Sequence, residues 1–195
     1  STFSFGCYHG YVGEAVRAKG FNYIYEMDSS CSSTSSPGAC QHGLGHAILV
    51  YSGENERVND ALAVCLRLTN YGLYSGCMSG VFMEFNYFNL RTPPGGPRPL
   101  TKENWNIPCV SAPSKLQESC YFFQSQWWAQ ASSGTQPNYA RSGKLCASLS
   151  ENRLRKSCFF GIGNLSGYLE KYQIKKSIID CSQMSTSQGE LYCRM

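Results

Sequence analysis

The chain has three histidines, and all three follow closely after a cysteine. His9 and His42 hold the same place in the fragments CYHG and CQHG, and His46 follows His42 by four residues. On a helix, that spacing puts both rings on one face. Such a pair is a common half-site for a transition metal, here zinc, copper or iron. Glu14 and Glu84 each lie seven residues after a cysteine and supply candidate carboxylates. Two metal-free readings stand beside the metal site. One is an acid–base pair, with a histidine as base and Glu84 as acid. The other is a structural cluster bonded to backbone or to some of the 13 tyrosines. The run HGLGH is not a zinc-protease helix, because Gly43 stands where the glutamate base belongs. There is no covalent-haem motif, no phosphate loop and no nucleophile elbow.

Eleven cysteines accompany them. Ten fall into five close pairs: Cys31/Cys40, Cys65/Cys77, Cys109/Cys120, Cys146/Cys158 and Cys181/Cys193. The intervals hold 8, 11, 10, 11 and 11 residues. Zinc knuckles and ribbons use about two to four residues between ligands. The pairs are therefore read as disulfides, which fits a secreted or periplasmic chain. Cys7 stands unpaired. It is expected to bridge to a cysteine before residue 1, to remain a free thiol, or to join two chains. The start at Ser1 suggests a removed leader or a trimmed end, and both ends fall mid-repeat.

The elements that must position these residues follow from the same rhythm. Successive pairs begin 34, 44, 37 and 35 residues apart, a period typical of helical repeats. The first cysteine of a pair closes a helical segment, as in ALAVC at Cys65 and KKSIIDC at Cys181. The second opens the next apolar segment, as in CQHGLGHAILVY from Cys40. Turn formers such as Ser35, Ser36, Pro37 and Gly38 lie between. Three residues after the second cysteine come Gly10, Gly43, Gly80 and Gly161, with Phe123 the one departure. A helical glycine costs about 1 kcal/mol against alanine, so the column points to close helix–helix approach. The expectation is an all-α, single domain over 1–195: an α-solenoid or curved array of about five disulfide-stapled helical hairpins. The run RTPPGGPRPL cannot be helical and marks one Pro/Gly-rich loop near 91–113. This pattern of paired helices, paired cysteines and a small residue after each second cysteine resembles the cysteine-clamped Sel1-like and tetratricopeptide-like repeats. The resemblance implies an extracytoplasmic α-solenoid serving as a binding scaffold, and it transfers no active-site residue.

A second column, six residues after the cysteine, reads Gly13, His46, Met83, Gln126 and Asn164. If it lines a groove, Gln126 and Asn164 are candidate ligand contacts. Trp127, Trp128, Phe122 and Phe160 could then offer stacking surface to a sugar or peptide, although helix-core packing competes for these aromatics. Asn164-Leu165-Ser166 is an N-glycosylation triplet, a pattern that also arises by chance. The net charge of +4 is mild and scattered, which argues against nucleic acid. No apolar stretch reaches the ~20 residues of a membrane span. The expected function is a secreted or periplasmic scaffold that binds a protein or its own copies. The alternatives are a metal protein or metal-dependent enzyme built on His9, His42, His46 and Glu14 or Glu84, and a glycan-binding or glycan-cleaving protein.

Overall fold

A computed structural model describes residues 3–52, 57–69, 72–87, 97–131 and 136–195, with side chains from residue 10 onward. The described residues form ten α-helices, one short 3-10 turn and no strand, so the all-α expectation holds at that level. The chain divides into two compact units, residues 1–98 and 99–195.

The first unit holds α1 (Phe3–Lys19), α2 (Tyr23–Cys31), α3 (Pro37–Tyr51), α4 (Val58–Cys65) and α5 (Gly76–Tyr87). Pro37 opens α3 at a position where its fixed φ and missing N–H cost nothing. Every residue from Ala39 to Leu49 is buried, so α3 is the central helix, packed by α1, α2, α4 and α5. The closest packing is between α3 and α5. A methyl group on Gly45 would run into the Cys77 carbonyl, and one on Gly80 into the His42 carbonyl. Only glycine permits this approach from both sides. Asp28 of α2 ties in a neighbouring segment: it accepts from Gln41 Nε2, from Thr69 N at 3.1 Å and from Thr69 Oγ1 at 3.3 Å.

The second unit holds the 3-10 turn Ser114–Leu116, then α6 (Gln117–Gln130), α7 (Tyr139–Ala147), α8 (Asn152–Leu169), α9 (Ile174–Cys181) and α10 (Ser187–Cys193). Its core gathers Trp127, Trp128, Phe159 and Ile162. The glycine relationship recurs here. Gly161 of α8 meets the Phe122 carbonyl of α6, and Gly163 meets the Cys193 carbonyl of α10.

Five disulfides join Cys31–Cys40, Cys65–Cys77, Cys109–Cys120, Cys146–Cys158 and Cys181–Cys193, with Cα atoms 5.4 to 5.5 Å apart. Four of them clamp a helix to the next helix. The fifth joins α6 to the Pro/Gly-rich loop expected near 91–113, in which Cys109 lies. Residues 97–113 are irregular and contain Pro97, Pro99, Pro108 and Pro113. Proline removes a helical donor and pushes the residue before it out of the α region. The Cys109–Cys120 bridge therefore pins this loop to α6. The remainder of the expected loop, 91–96, lies outside the described residues.

Candidate functional site

The chemistry-bearing side chains of the first unit meet across the α3–α5 contact. His42 and His46 stand one turn apart on α3, and Ser79 and Glu84 stand on α5. His42 Nδ1 lies 2.6 Å from Ser79 Oγ. His42 Nε2 and His46 Nε2 face each other at 3.0 Å. His46 Nδ1 lies 2.7 Å from Glu84 Oε2. The result is one continuous chain, Ser79–His42–His46–Glu84. His46 is fully buried, Ser79 and Glu84 are 2% exposed and His42 is 8% exposed. The Gly45 and Gly80 contacts bring the helix backbones near enough for these short bonds.

Donor and acceptor counting fixes what this chain can do. Ser79 Oγ also donates to the Gly76 carbonyl at 2.7 Å. With that proton committed, His42 donates from Nδ1 to Ser79, and its neutral Nε2 accepts from His46 Nε2–H. One proton then sits between His46 Nδ1 and Glu84. In the reverse order Ser79 donates to His42, His42 to His46, and His46 to an ionised Glu84. The two orders differ by one proton. Hydrogen-bond direction and protonation are therefore coupled through all four residues.

Every ring nitrogen of the pair points at a protein partner rather than at a common point in space. Among the described residues no group of three His, Cys, Asp or Glu side chains is arranged to hold a metal ion. The i, i+4 histidines expected to share a face do meet on α3, and both are members of the hydrogen-bond chain. Glu14, the other carboxylate considered, is not part of it. It lies on α1 with an exposed side chain, 2.6 Å from the Arg17 guanidinium. That neighbour holds its carboxyl below the usual carboxylate range, through a hydrogen bond first and charge second. His9 and Cys7 lie on α1, but their side chains fall outside the described residues.

The second column divides differently. Gln126 Nε2 donates to Asn164 Oδ1 at 3.3 Å, so these two are brought together near the surface. Trp127 and Trp128 are not available for stacking. Both are fully buried, and Trp128 Nε1 donates to the Trp105 carbonyl at 2.6 Å. Their place in α6, where all residues from Ser119 to Ser125 are also buried, makes them core. Phe122 is buried as well, with its ring centroid 5.5 Å from that of Phe160.

Two residues escaped the sequence reading. Ser79 could have been found, since it holds the position that His9 and His42 hold, two after a cysteine. Trp105 lies in the proline-rich loop, where no periodicity marks it. Comparison with protein-family models, curated proteins and solved structures gives no match to the chain.

Proposed function

We propose that the chain is an extracytoplasmic, disulfide-stapled helical-repeat scaffold that acts by binding, with the Ser79–His42–His46–Glu84 chain as the internal lock between α3 and α5. The observation carrying this reading is the direction of the histidine nitrogens: all four are engaged by side chains of the same two helices. A ring that takes a proton directly from a substrate, rather than through an intervening side chain such as Ser79, needs one nitrogen facing outward. The recurring glycine–carbonyl contacts support stacked repeats of the Sel1-like or tetratricopeptide-like kind. The five bridges support an oxidising compartment, and no described helix is long and apolar enough to cross a membrane. Helix α9 leaves Ile174, Ile178 and Ile179 exposed, the kind of apolar surface that a binding protein presents.

A second reading rests on one specific feature. Ser79 lies in the first turn of α5, where backbone N–H groups favour developing negative charge, and its hydroxyl is 2.6 Å from His42. That arrangement is also the start of a serine nucleophile relay.

The test exposes the intact oxidised chain to glycan and peptide arrays, measures its mass in solution over a range of concentrations, and treats it with a fluorophosphonate probe. The scaffold reading expects saturable binding of a ligand or reversible self-association, without covalent labelling. Stoichiometric labelling of Ser79, lost in Ser79→Ala, would transfer the chain to the enzyme reading.

A further inference from the structure

The second unit carries a cavity of about 550 Å³ lined by Leu100, Thr101, Lys102, Trp105, Arg141 and Leu145. We infer that this cavity binds an acidic sugar, with the pyranose ring stacked on Trp105 and its carboxylate or sulfate group held by Lys102 and Arg141. The inference rests on the binding-scaffold reading and gives it a ligand class and a location.

The loop side of the cavity is a rigid platform. Its backbone at Trp105 is fixed from α6: the Trp105 carbonyl accepts from Gln124 Nε2 at 2.8 Å and from Trp128 Nε1 at 2.6 Å. Gln124 reaches the Ile107 carbonyl at 3.0 Å with the same amide group. Tyr121 donates to Asn106 Oδ1 at 2.6 Å, and the Cys109–Cys120 bridge closes the far end. Upstream, Asn104 Oδ1 accepts from Thr101 N at 2.9 Å, and Asn104 Nδ2 donates to the Pro99 carbonyl at 2.8 Å. A proline-rich stretch thus becomes a fixed wall at little further entropy cost on binding.

The chemistry of the lining is directional. Trp105 is half-buried, with its ring centroid 5.7 Å from that of the buried Trp128. Lys102 and Arg141 are exposed, and neither has an ion-pair partner among the described residues. Arg141 is presented by the first turn of α7, whose start is capped by Asn138 Oδ1 accepting from Arg141 N at 2.9 Å. A planar guanidinium is suited to a carboxylate or sulfate. Leu100 and Leu145 add apolar wall, and the Thr101 hydroxyl at the rim accepts from Glu103 N at 3.2 Å and Asn104 N at 3.3 Å, which holds the loop's turn in place. A neutral sugar would leave both cations unused. A small inorganic anion would leave the indole and the leucines unused. Only a ligand with an apolar ring face and an attached anion engages the whole lining.

The experiment titrates the full oxidised chain with a galacturonate oligosaccharide, a heparin-derived oligosaccharide and a neutral malto-oligosaccharide, read by tryptophan fluorescence and calorimetry. The first two separate carboxylate from sulfate as the recognised group. The expected result is saturable binding of at least one acidic oligosaccharide and a much weaker response to the neutral one. Trp105→Ala is expected to lose about tenfold or more in affinity, and Lys102→Glu and Arg141→Glu similarly. The last two change exposed side chains, so they report on the site even if the tryptophan variant folds poorly. Lys175→Glu, on α9, is the control and should bind as the parent does. Equal loss in Lys175→Glu would show general polyanion attraction and overturn the inference. So would equal binding of the neutral sugar, or no binding of either acidic one. If the acidic sugars fail while the arrays find another ligand, the scaffold reading stands and only this site falls.

Discussion

His42 and His46 face each other through their Nε2 atoms at 3.0 Å, with ring planes at 73°. A contact of that length between two nitrogens holds one proton and no more. The proton ties the ring bonded to Ser79 to the ring bonded to Glu84, and so ties α3 to α5 at two points. His46→Ala removes the middle of the chain and takes the imidazole partner from the buried Glu84. Loss of about 3–5 kcal/mol is expected, as for other broken buried pairs. Glu84→Gln keeps the shape and can still donate to, or accept from, His46 Nδ1, so it should cost less than about 1.5 kcal/mol. Denaturant unfolding of both variants, with disulfides intact, checks the difference.

Gly80 and Gly10 occupy one sequence position in two of the copies but face different surroundings. A Cβ on Gly80 would meet the His42 backbone, whereas one on Gly10 meets nothing within 4 Å. Gly80→Ala should therefore destabilise the first unit by about 3 kcal/mol through forced separation of α3 and α5. Gly10→Ala should be neutral or stabilising by up to about 1 kcal/mol, from helix propensity alone. Thermal melting of the two variants side by side tests this.

Eleven cysteines and five bridges leave Cys7 outside the set. Thiol titration of the denatured, unreduced chain should find at most one reactive group. Replacing Cys65 and Cys77 together by serine should cost about 2–4 kcal/mol, the usual worth of a bridge closing a loop of this length. Several free thiols in a freshly purified, oxidised sample would contradict the stapled fold.

Tyr139, buried at the start of α7, has its hydroxyl pushed up to about 12 by burial first and by the charge of Asp180 second. An unfolded chain gives up this proton near the ordinary value of 10.0. Between these two values the native state binds more protons, so stability falls as pH rises through that window. The contribution is whole below pH 10 and declines above it. Ultraviolet titration should show a late tyrosine near pH 12, removed in Tyr139→Phe. The same variant should flatten the alkaline loss of stability.

Much of the fold was legible because covalent spacing is local. The cysteine intervals point to the five bridges, and His9, His42 and His46 with Glu14 or Glu84 point to one cluster, of which His42, His46 and Glu84 meet. The nature of that cluster was not legible, because it depends on how near α3 comes to α5. Gly80 hinted at the approach, but Gly45 and its Cys77 carbonyl contact went unnoticed. For Trp127 and Trp128 the sequence leaves a stacking surface and the helix core both open, because residue type does not report burial; the structure puts them in the core. Trp105, at the surface cavity, carries no periodic signal at all. The Pro-rich loop expected near 91–113 is non-helical over its described residues 97–113, and it forms one wall of that cavity.

The most direct test pairs stability with binding on the same variants. Unfolding midpoint and acidic-oligosaccharide affinity are measured for His46→Ala and for Lys102→Glu at a temperature where both are folded. The account predicts a clean separation. His46→Ala lowers the midpoint and keeps affinity within about twofold, since sites with no shared partner act nearly independently. Lys102→Glu keeps the midpoint and loses affinity. Loss of binding in His46→Ala at an unchanged midpoint would contradict it, and would make the histidine chain the functional centre rather than a lock.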